Sequence, residues 1–375
     1  MNAPESSRNT PQSTSRRKVL KLAAVTGAAM ATGLLGAPAF AQTRRISITL
    51  PWVVNGSNYW PIVGREKGFF KSRGIDLAVS RGNGSVAAAQ AVGNGQFDLG
   101  VVFFGGTLAN VARGLPLQAL ATVGYDSLMG NLVLHDSPIR EPKDFEGKRV
   151  GIVATSAEAP YWPAFASKTG IDLNTITRQQ LDARMVERAL MEKQVDAITA
   201  IGSSSIPVLD SLGVETRFIP WSQYGVTLYA AQLIARQETV ESDPALCQAM
   251  VDGILESVLY TLKNPEESLE ILFKEQPEIG MTRGGKENAA ISQGLAQATM
   301  LADEMVHNGM GYSDIDKIGQ MVALAADAGA LPEGAARPQA EQLATNRFAG
   351  QVKLDAAEIA SIRDGIAPYI QMVGG

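Results

Sequence analysis

The stretch Arg65-Glu66-Lys67-Gly68-Phe69-Phe70-Lys71-Ser72-Arg73-Gly74-Ile75-Asp76-Leu77 decides the fold. It holds the end of one element and the start of another. Residues 59–68 carry a helical pattern that closes at Gly68, a common helix stop. Beyond Gly74, residues 75–80 read as a strand running into Arg81-Gly82-Asn83-Gly84-Ser85. Working outward, residues 45–50 alternate apolar and polar and then meet Pro51, the pattern of a strand ending at a loop, here 52–58. Downstream, a helix at 86–94 is followed by a strand at 99–104, a Gly105-Gly106-Thr107 turn, a helix at 108–113 and a strand at 117–123. Strands alternating with short helices imply a mostly parallel sheet covered on both faces.

The rhythm then restarts. Strands are expected at 131–135, 149–153, 197–200 and 215–219, with helices at 184–193 and 206–212. A strand at 228–235 returns toward the first sheet. From Asp243-Pro244, a good cap with proline at the first helical position, the chain is helical, with breaks near 264–265, 277–286, 308–313 and 331–338.

The N-terminus reads as a removable export signal. Ser15-Arg16-Arg17-Lys18 precedes a weakly apolar run at 22–36, and Ala37-Pro38-Ala39-Phe40-Ala41 supplies small residues in the A-x-A arrangement. Paired arginines select the twin-arginine route, which makes the twin-arginine translocase a partner during export. The run is about fifteen residues, short of the roughly twenty needed to span a bilayer. Cleavage is expected between Ala41 and Gln42, with release of a soluble protein into the periplasm. The chain's net charge is −5, and residues 1–41 hold five basic side chains against Glu5 alone, which leaves −9 on the remainder. That sign is wrong for a nucleic-acid binder, which must neutralise phosphates. Cys247, the one cysteine, has no disulfide partner within the chain and lies in an apolar helical stretch, where a buried, inert thiol is expected.

The motifs in their order resemble a known family. Residues 65–77 look like the "KGYFKEEGLDV" signature of substrate-binding proteins serving sulfonate, taurine, nitrate and thiamine-precursor ABC importers. Gly82-Asn83-Gly84-Ser85, Gly95-Gln96-Phe97-Asp98-Leu99-Gly100 and Arg113-Gly114-Leu115-Pro116-Leu117 follow in that family's order. Residues 142–151 resemble its "PKDLKGKKVGV" element, and Ala189-Leu190 with Val195-Asp196-Ala197 resembles "AL..G.VDA". The resemblance implies an α/β, two-lobed type II periplasmic-binding-protein fold: two mostly parallel sheets flanked by helices, a hinge of two crossing strands, and ligand in the cleft. Residues 42–134 would begin lobe 1, 135–230 form lobe 2, and 231–375 return to lobe 1. It also implies an ABC permease and ATPase in the inner membrane as partners, and a monomer.

Ligands of open α/β sheets sit beyond the carboxyl ends of strands. That rule selects 52–59, 82–85, 103–107 and 155–162. Glycines there let backbone approach a ligand, and helix starts favour an acceptor or anion. Gly84, Ser85, Thr155 and Ser156 fit that description, and Asn58 and Thr107 stand in the same loops. Aromatic residues are only 6 % of the chain, yet Trp52, Tyr59, Phe103, Phe104, Tyr161, Trp221 and Tyr224 fall on expected cleft loops, which suggests a planar or apolar ligand body. Trp60 and Trp162 accompany them, Trp60 inside a helical pattern that favours packing. Glu158 could accept hydrogen bonds from a ring amine. Arg81 and Arg184 could pair with an anionic group, and Asp182 lies where the family often places a polar cleft residue.

Sulfonate binders often carry His-Tyr or Ala-His-Tyr after the second lobe's first strand. Here the segment is Ala157-Glu158-Ala159-Pro160-Tyr161, whose carboxylate would repel a sulfonate and favour a nitrogenous ligand. A sulfonate, taurine or nitrate binder, and a ligand-sensing receptor, are the alternatives. An enzyme of the pyrimidine-synthase type is disfavoured: with two histidines and one cysteine, neither a Cys/His nucleophile nor a metal site assembles. No cofactor motif is present, and no catalytic residue is expected.

Overall fold

Two five-stranded sheets organise the chain, and in each a single strand runs against the other four. The computed structural model describes residues 43–374; the expected export signal and its cleavage point lie outside them. The first sheet has the order β2-β1-β3-β10-β4, with β1 at Arg44–Thr49, β2 at Ile75–Ser80, β3 at Leu99–Phe103, β4 at Leu117–Thr122 and β10 at Ala231–Arg236. The second has the order β7-β6-β8-β5-β9, with β5 at Met129–Leu134, β6 at Arg149–Ile152, β7 at Thr177–Gln180, β8 at Ala197–Ile201 and β9 at Thr216–Pro220. β10 is antiparallel to β3 and β4, and β5 is antiparallel to β8 and β9. These are the two strands that enter from the other sheet, so they arrive pointing the opposite way.

Helices α1 (Trp60–Glu66), α2 (Ser85–Gly93) and α3 (Phe104–Val111) connect the first sheet's strands, and α4 (Trp162–Thr169), α5 (Val186–Met191) and α6 (Gly202–Asp210) the second's. The tail carries α7 (Gln237–Ser242), α8 (Pro244–Lys263), α9 (Pro265–Glu275), α10 (Pro277–Met281), α11 (Gly285–Met300), α12 (Asp303–Asn308), α13 (Ile315–Asp327), α14 (Ala340–Leu343) and α15 (Ala356–Gly374).

β5 belongs to the second sheet, so the chain crosses ahead of residue 129 rather than at 135, the boundary expected from sequence. The tail also serves both lobes rather than the first alone. α8 packs on α1, whereas α11 packs on α6, where Ser292 Oγ donates to the Ser203 carbonyl at 2.6 Å. Tyr369 and Met372 of α15 lie against the second lobe's core of Leu132, Val186, Ile198 and Leu209.

Most strands and helices lie within a few residues of expectation. Two helices start four residues early, at Phe104 and Gly202. The first helical turn is Phe104-Gly105-Gly106-Thr107 in one and Gly202-Ser203-Ser204-Ser205 in the other, because packing outweighs the roughly 1 kcal/mol that glycine, and the smaller amount that serine, costs a helix. β7 was not anticipated: its residues, Thr-Arg-Gln-Gln, are all exposed on an edge and show no apolar alternation.

Candidate ligand-binding site

The carboxyl ends of β1, β2 and β3 face those of β6 and β8 across a cavity of ≈ 50 Å³. From the first lobe come Pro51, Trp52, Ser57, Asn58, Gly84, Ser85 and Phe103; Ser156, Glu158, Thr199, Ser204 and Ser205 are among those from the second. A buried water needs about 10–15 Å³ and ordinary ligand pockets about 300–1,000 Å³. The lobes therefore stand drawn together.

Backbone contacts hold them there. Val86 N donates to the Thr155 carbonyl at 3.0 Å, and Thr155 Oγ1 donates to the Asn83 carbonyl at 2.6 Å. Gly84 lies between these bonds at φ 117°, and a Cβ there would stand 2.2 Å from Thr155 O. Glycine at this position is thus required twice, for the backbone conformation and for the close approach. Gly105 repeats the arrangement more loosely, with Ala157 O 2.7 Å from where its Cβ would be.

Among the described residues, Glu158 is the only ionisable side chain on the cavity wall. It is 3 % exposed. Its Oε1 accepts from Ser156 Oγ at 2.6 Å, while Oε2 is buried without a hydrogen-bond partner. Ser156 has one hydroxyl proton for two acceptors, since Val153 O lies 2.8 Å away. Burial penalises the charged form and pushes the Glu158 carboxyl up to about 7, which the Ser156 hydrogen bond only partly offsets. Behind the wall, half-buried Glu187 accepts from Ser205 Oγ at 2.8 Å and is also raised by burial. Among the described residues, no lysine, arginine or histidine lines the cavity.

The remaining polar groups support the wall more than they offer themselves. Asn58 Nδ2 donates to Val53 O at 3.0 Å and its Oδ1 accepts from Asn55 N at 3.1 Å, so its amide folds the 52–58 loop. Ser85 Oγ accepts from Phe103 N at 3.1 Å. Thr199 Oγ1 accepts from the buried Trp162 Nε1 at 2.7 Å.

Of the fifteen residues expected to touch ligand, Trp52, Asn58, Gly84, Ser85, Phe103, Ser156 and Glu158 lie on the cavity. Thr155 and Asp182 lie outside it, in a groove at its rim. The other six line neither space, and each is held elsewhere by packing. Tyr59 turns toward the tail, where its hydroxyl donates to Gln293 and its ring joins Val63, Leu272 and Ala289. Phe104 is in the first lobe's core and Thr107 is fully buried, because α3 begins at Phe104 and turns that face inward. Tyr161 is buried, its hydroxyl 3.5 Å from Gly105 O. Trp221 stacks on Phe165 at 5.0 Å and donates from Nε1 to Asn131 Oδ1 at 2.7 Å. Tyr224 packs edge-on against Phe165. Two of the expected cleft aromatics, Trp162 and Trp221, thus join Phe145 and Phe165 in a second-lobe core.

The sequence reading missed Thr199, Ser204 and Ser205. The rule that found the other segments would have found these at the end of β8, had Gly202-Ser203-Ser204-Ser205 been read as a strand exit.

Two mixed sheets with a cavity between their strand ends define a two-lobed periplasmic-binding-protein fold. The alkanesulfonate-binding protein of Xanthomonas axonopodis pv. citri, solved with MOPS bound, shares it: TM-score 0.61 at 16 % identity, covering 80 % of this chain and 98 % of that one. Residues 59–268 match the NMT1/THI5 like family, and the chain belongs to that family. Among curated relatives, a 4-amino-5-hydroxymethyl-2-methylpyrimidine phosphate synthase of Legionella pneumophila is 25 % identical over 240 residues, 63 % of this chain and 75 % of that one. A formylaminopyrimidine-binding protein of Halalkalibacterium halodurans is 21 % identical over 235 residues, 62 % of this chain and 71 % of that one.

Proposed function

We propose that this chain is the solute-binding component of an ABC importer. It works as a monomer in the periplasm, closing on a small, planar, nitrogen-bearing ligand and delivering it to a membrane permease driven by an ATPase. The observation that carries the ligand class is Glu158 Oε2, a buried acceptor without a partner on a cavity wall that has no basic side chain. An unpaired buried acceptor is costly, and a ring amine or amidine N–H aimed at it removes that cost. Trp52 and Phe103 supply flat apolar surface for a ring. The names of the pyrimidine-related members of the family agree with this class, and the twin-arginine pattern of residues 1–41 agrees with the location.

A sulfonate or nitrate would have to be desolvated beside Glu158 with no cation to meet it, which disfavours the oxoanion reading. The relative named as a synthase raises an enzymatic reading; among the described residues this cavity wall carries no histidine, cysteine or lysine, so Glu158 and the serines are the groups such a reading would have to use. The test is thermal unfolding of the purified chain with 4-aminopyrimidine, a formylaminopyrimidine, ethanesulfonate, taurine and nitrate. The aminopyrimidines are expected to raise the midpoint and Glu158→Gln to remove that rise; ligand at about 100 times its Kd adds about 2.7 kcal/mol. A rise with ethanesulfonate alone would overturn the assignment. Chemical conversion of a bound pyrimidine would replace the importer reading with the enzymatic one.

A further inference from the structure

Just outside the cavity, the exit of β2 faces the segment after β7 across a groove of ≈ 450 Å³. Arg81 lines it from the first lobe and Arg184 from the second, and Asn83, Thr155 and Asp182 line it as well. The groove shares Trp52 and Val153 with the inner cavity, so the two spaces have a common wall. Both arginines are exposed. Among the described residues neither forms an ion pair. Arg81 reaches only Asn83 Oδ1, at 3.4 Å, and Asp182 Oδ1 is occupied by the Arg184 backbone N–H at 2.9 Å.

Closure brings these two arginines to one groove, because the Thr155 bonds to Asn83 and Val86 tie the two loops together. Two like charges brought to one place, offset only in part by the single Asp182 carboxylate, oppose that movement, and an anion bound by both reverses the sign of the effect. A guanidinium offers a planar fork of N–H donors suited to a carboxylate or phosphate. We infer that the groove is an anion subsite assembled by closure, taking the carboxylate or phosphate end of an elongated ligand. A nitrogenous other end in the inner cavity rests on the function proposed above; the anion subsite itself does not.

The experiment uses inorganic phosphate as probe, titrated at low ionic strength and followed through Trp52 emission, with Trp52→Phe as the optical control. Wild type, the Arg81→Gln/Arg184→Gln double variant and Glu158→Gln are compared, with unfolding midpoints confirming that each is folded. Saturable binding is expected in wild type, about tenfold or more weaker in the double variant and retained in Glu158→Gln. No saturable binding to wild type, or equal binding by the double variant, overturns the subsite. A parallel titration with 4-aminopyrimidine separates the two proposals. Loss of that response with phosphate binding intact would strike the nitrogenous reading alone, and the converse result would strike the anion subsite alone.

Discussion

Thr155 Oγ1 donates to the backbone carbonyl of Asn83 at 2.6 Å, joining a loop of the second sheet to a loop of the first. With the Val86 N–H bonded to the Thr155 carbonyl at 3.0 Å, it makes the 83–86 segment the seam of the closed molecule. The seam tolerates no side chain at Gly84, and the arginine groove lies directly beside it.

Gly84→Ala should therefore favour the open form. A Cβ 2.2 Å from Thr155 O cannot be accommodated without parting the loops, and φ 117° adds strain for any L residue. Amide exchange at Val86 is expected to quicken by about tenfold or more, a loss of about 1.4 kcal/mol in closure. Unchanged protection of the Val86 amide would show that the seam does not hold the lobes together.

Glu158 should make stability fall as pH rises. Its folded carboxyl titrates near 7 and its unfolded one near the ordinary 4.5, so the folded state binds more protons between these values. Stability is fully present below about 4.5 and is lost as pH rises through 7. The burial penalty corresponds to a few kcal/mol at most, at about 1.4 kcal/mol per unit. Unfolding of the unliganded protein at pH 5 and pH 8 should show this fall, and Glu158→Gln should flatten it. A slope surviving in Glu158→Gln would assign the titration to another group.

Ligand affinity should move the other way. An N–H donor prefers the ionised carboxylate, so binding of 4-aminopyrimidine is expected to strengthen from pH 6 to pH 8 with release of up to one proton. Calorimetry in two buffers of different ionisation enthalpy would count that proton. Proton uptake across this range would mean that protonated Glu158 is the binding form.

Trp221 is expected to act on stability and not on recognition. It is fully buried, stacked on Phe165 and bonded to Asn131. Trp221→Ala should cost about 3–5 kcal/mol. Trp221→Phe should cost about 1–3 kcal/mol, because it strands the Asn131 oxygen. Urea unfolding measures both. A loss of affinity in a fully folded Trp221→Phe would return this residue to the binding site.

Cys247 should resist alkylation in the native protein and react on unfolding. It is buried in α8, and that burial pushes its thiol up to about 11, leaving little thiolate to react near neutrality. Rapid native labelling by a maleimide would contradict the packing of α8.

The sequence by itself determined the alternation of strands and helices apart from β7, the two-sheet α/β class, the export pattern in residues 1–41 and the acidic sign of the chain, and it singled out Gly84 as a point of close backbone approach. These follow from local chemistry: alternation, caps, charge counts and the conformations open to glycine. It also brought Glu158 forward, because a carboxylate at a strand exit is legible without a fold. Tertiary structure alone decided which aromatic rings line the cavity. Trp52 and Phe103 line the cavity while Trp221, Tyr161 and Tyr59 fill cores, since a ring after a strand can turn either way and only the packing partner settles it. The starts of α3 and α6 were hidden for the same reason, as Gly-Gly-Thr and Gly-Ser-Ser-Ser are poor helix formers that burial overrides. That override carried Thr107 inward and set Ser204 and Ser205 on the cavity wall. Whether Glu158 would be paired or left with an open oxygen was likewise a tertiary matter, because its neighbours across the cleft come from strands far apart in sequence.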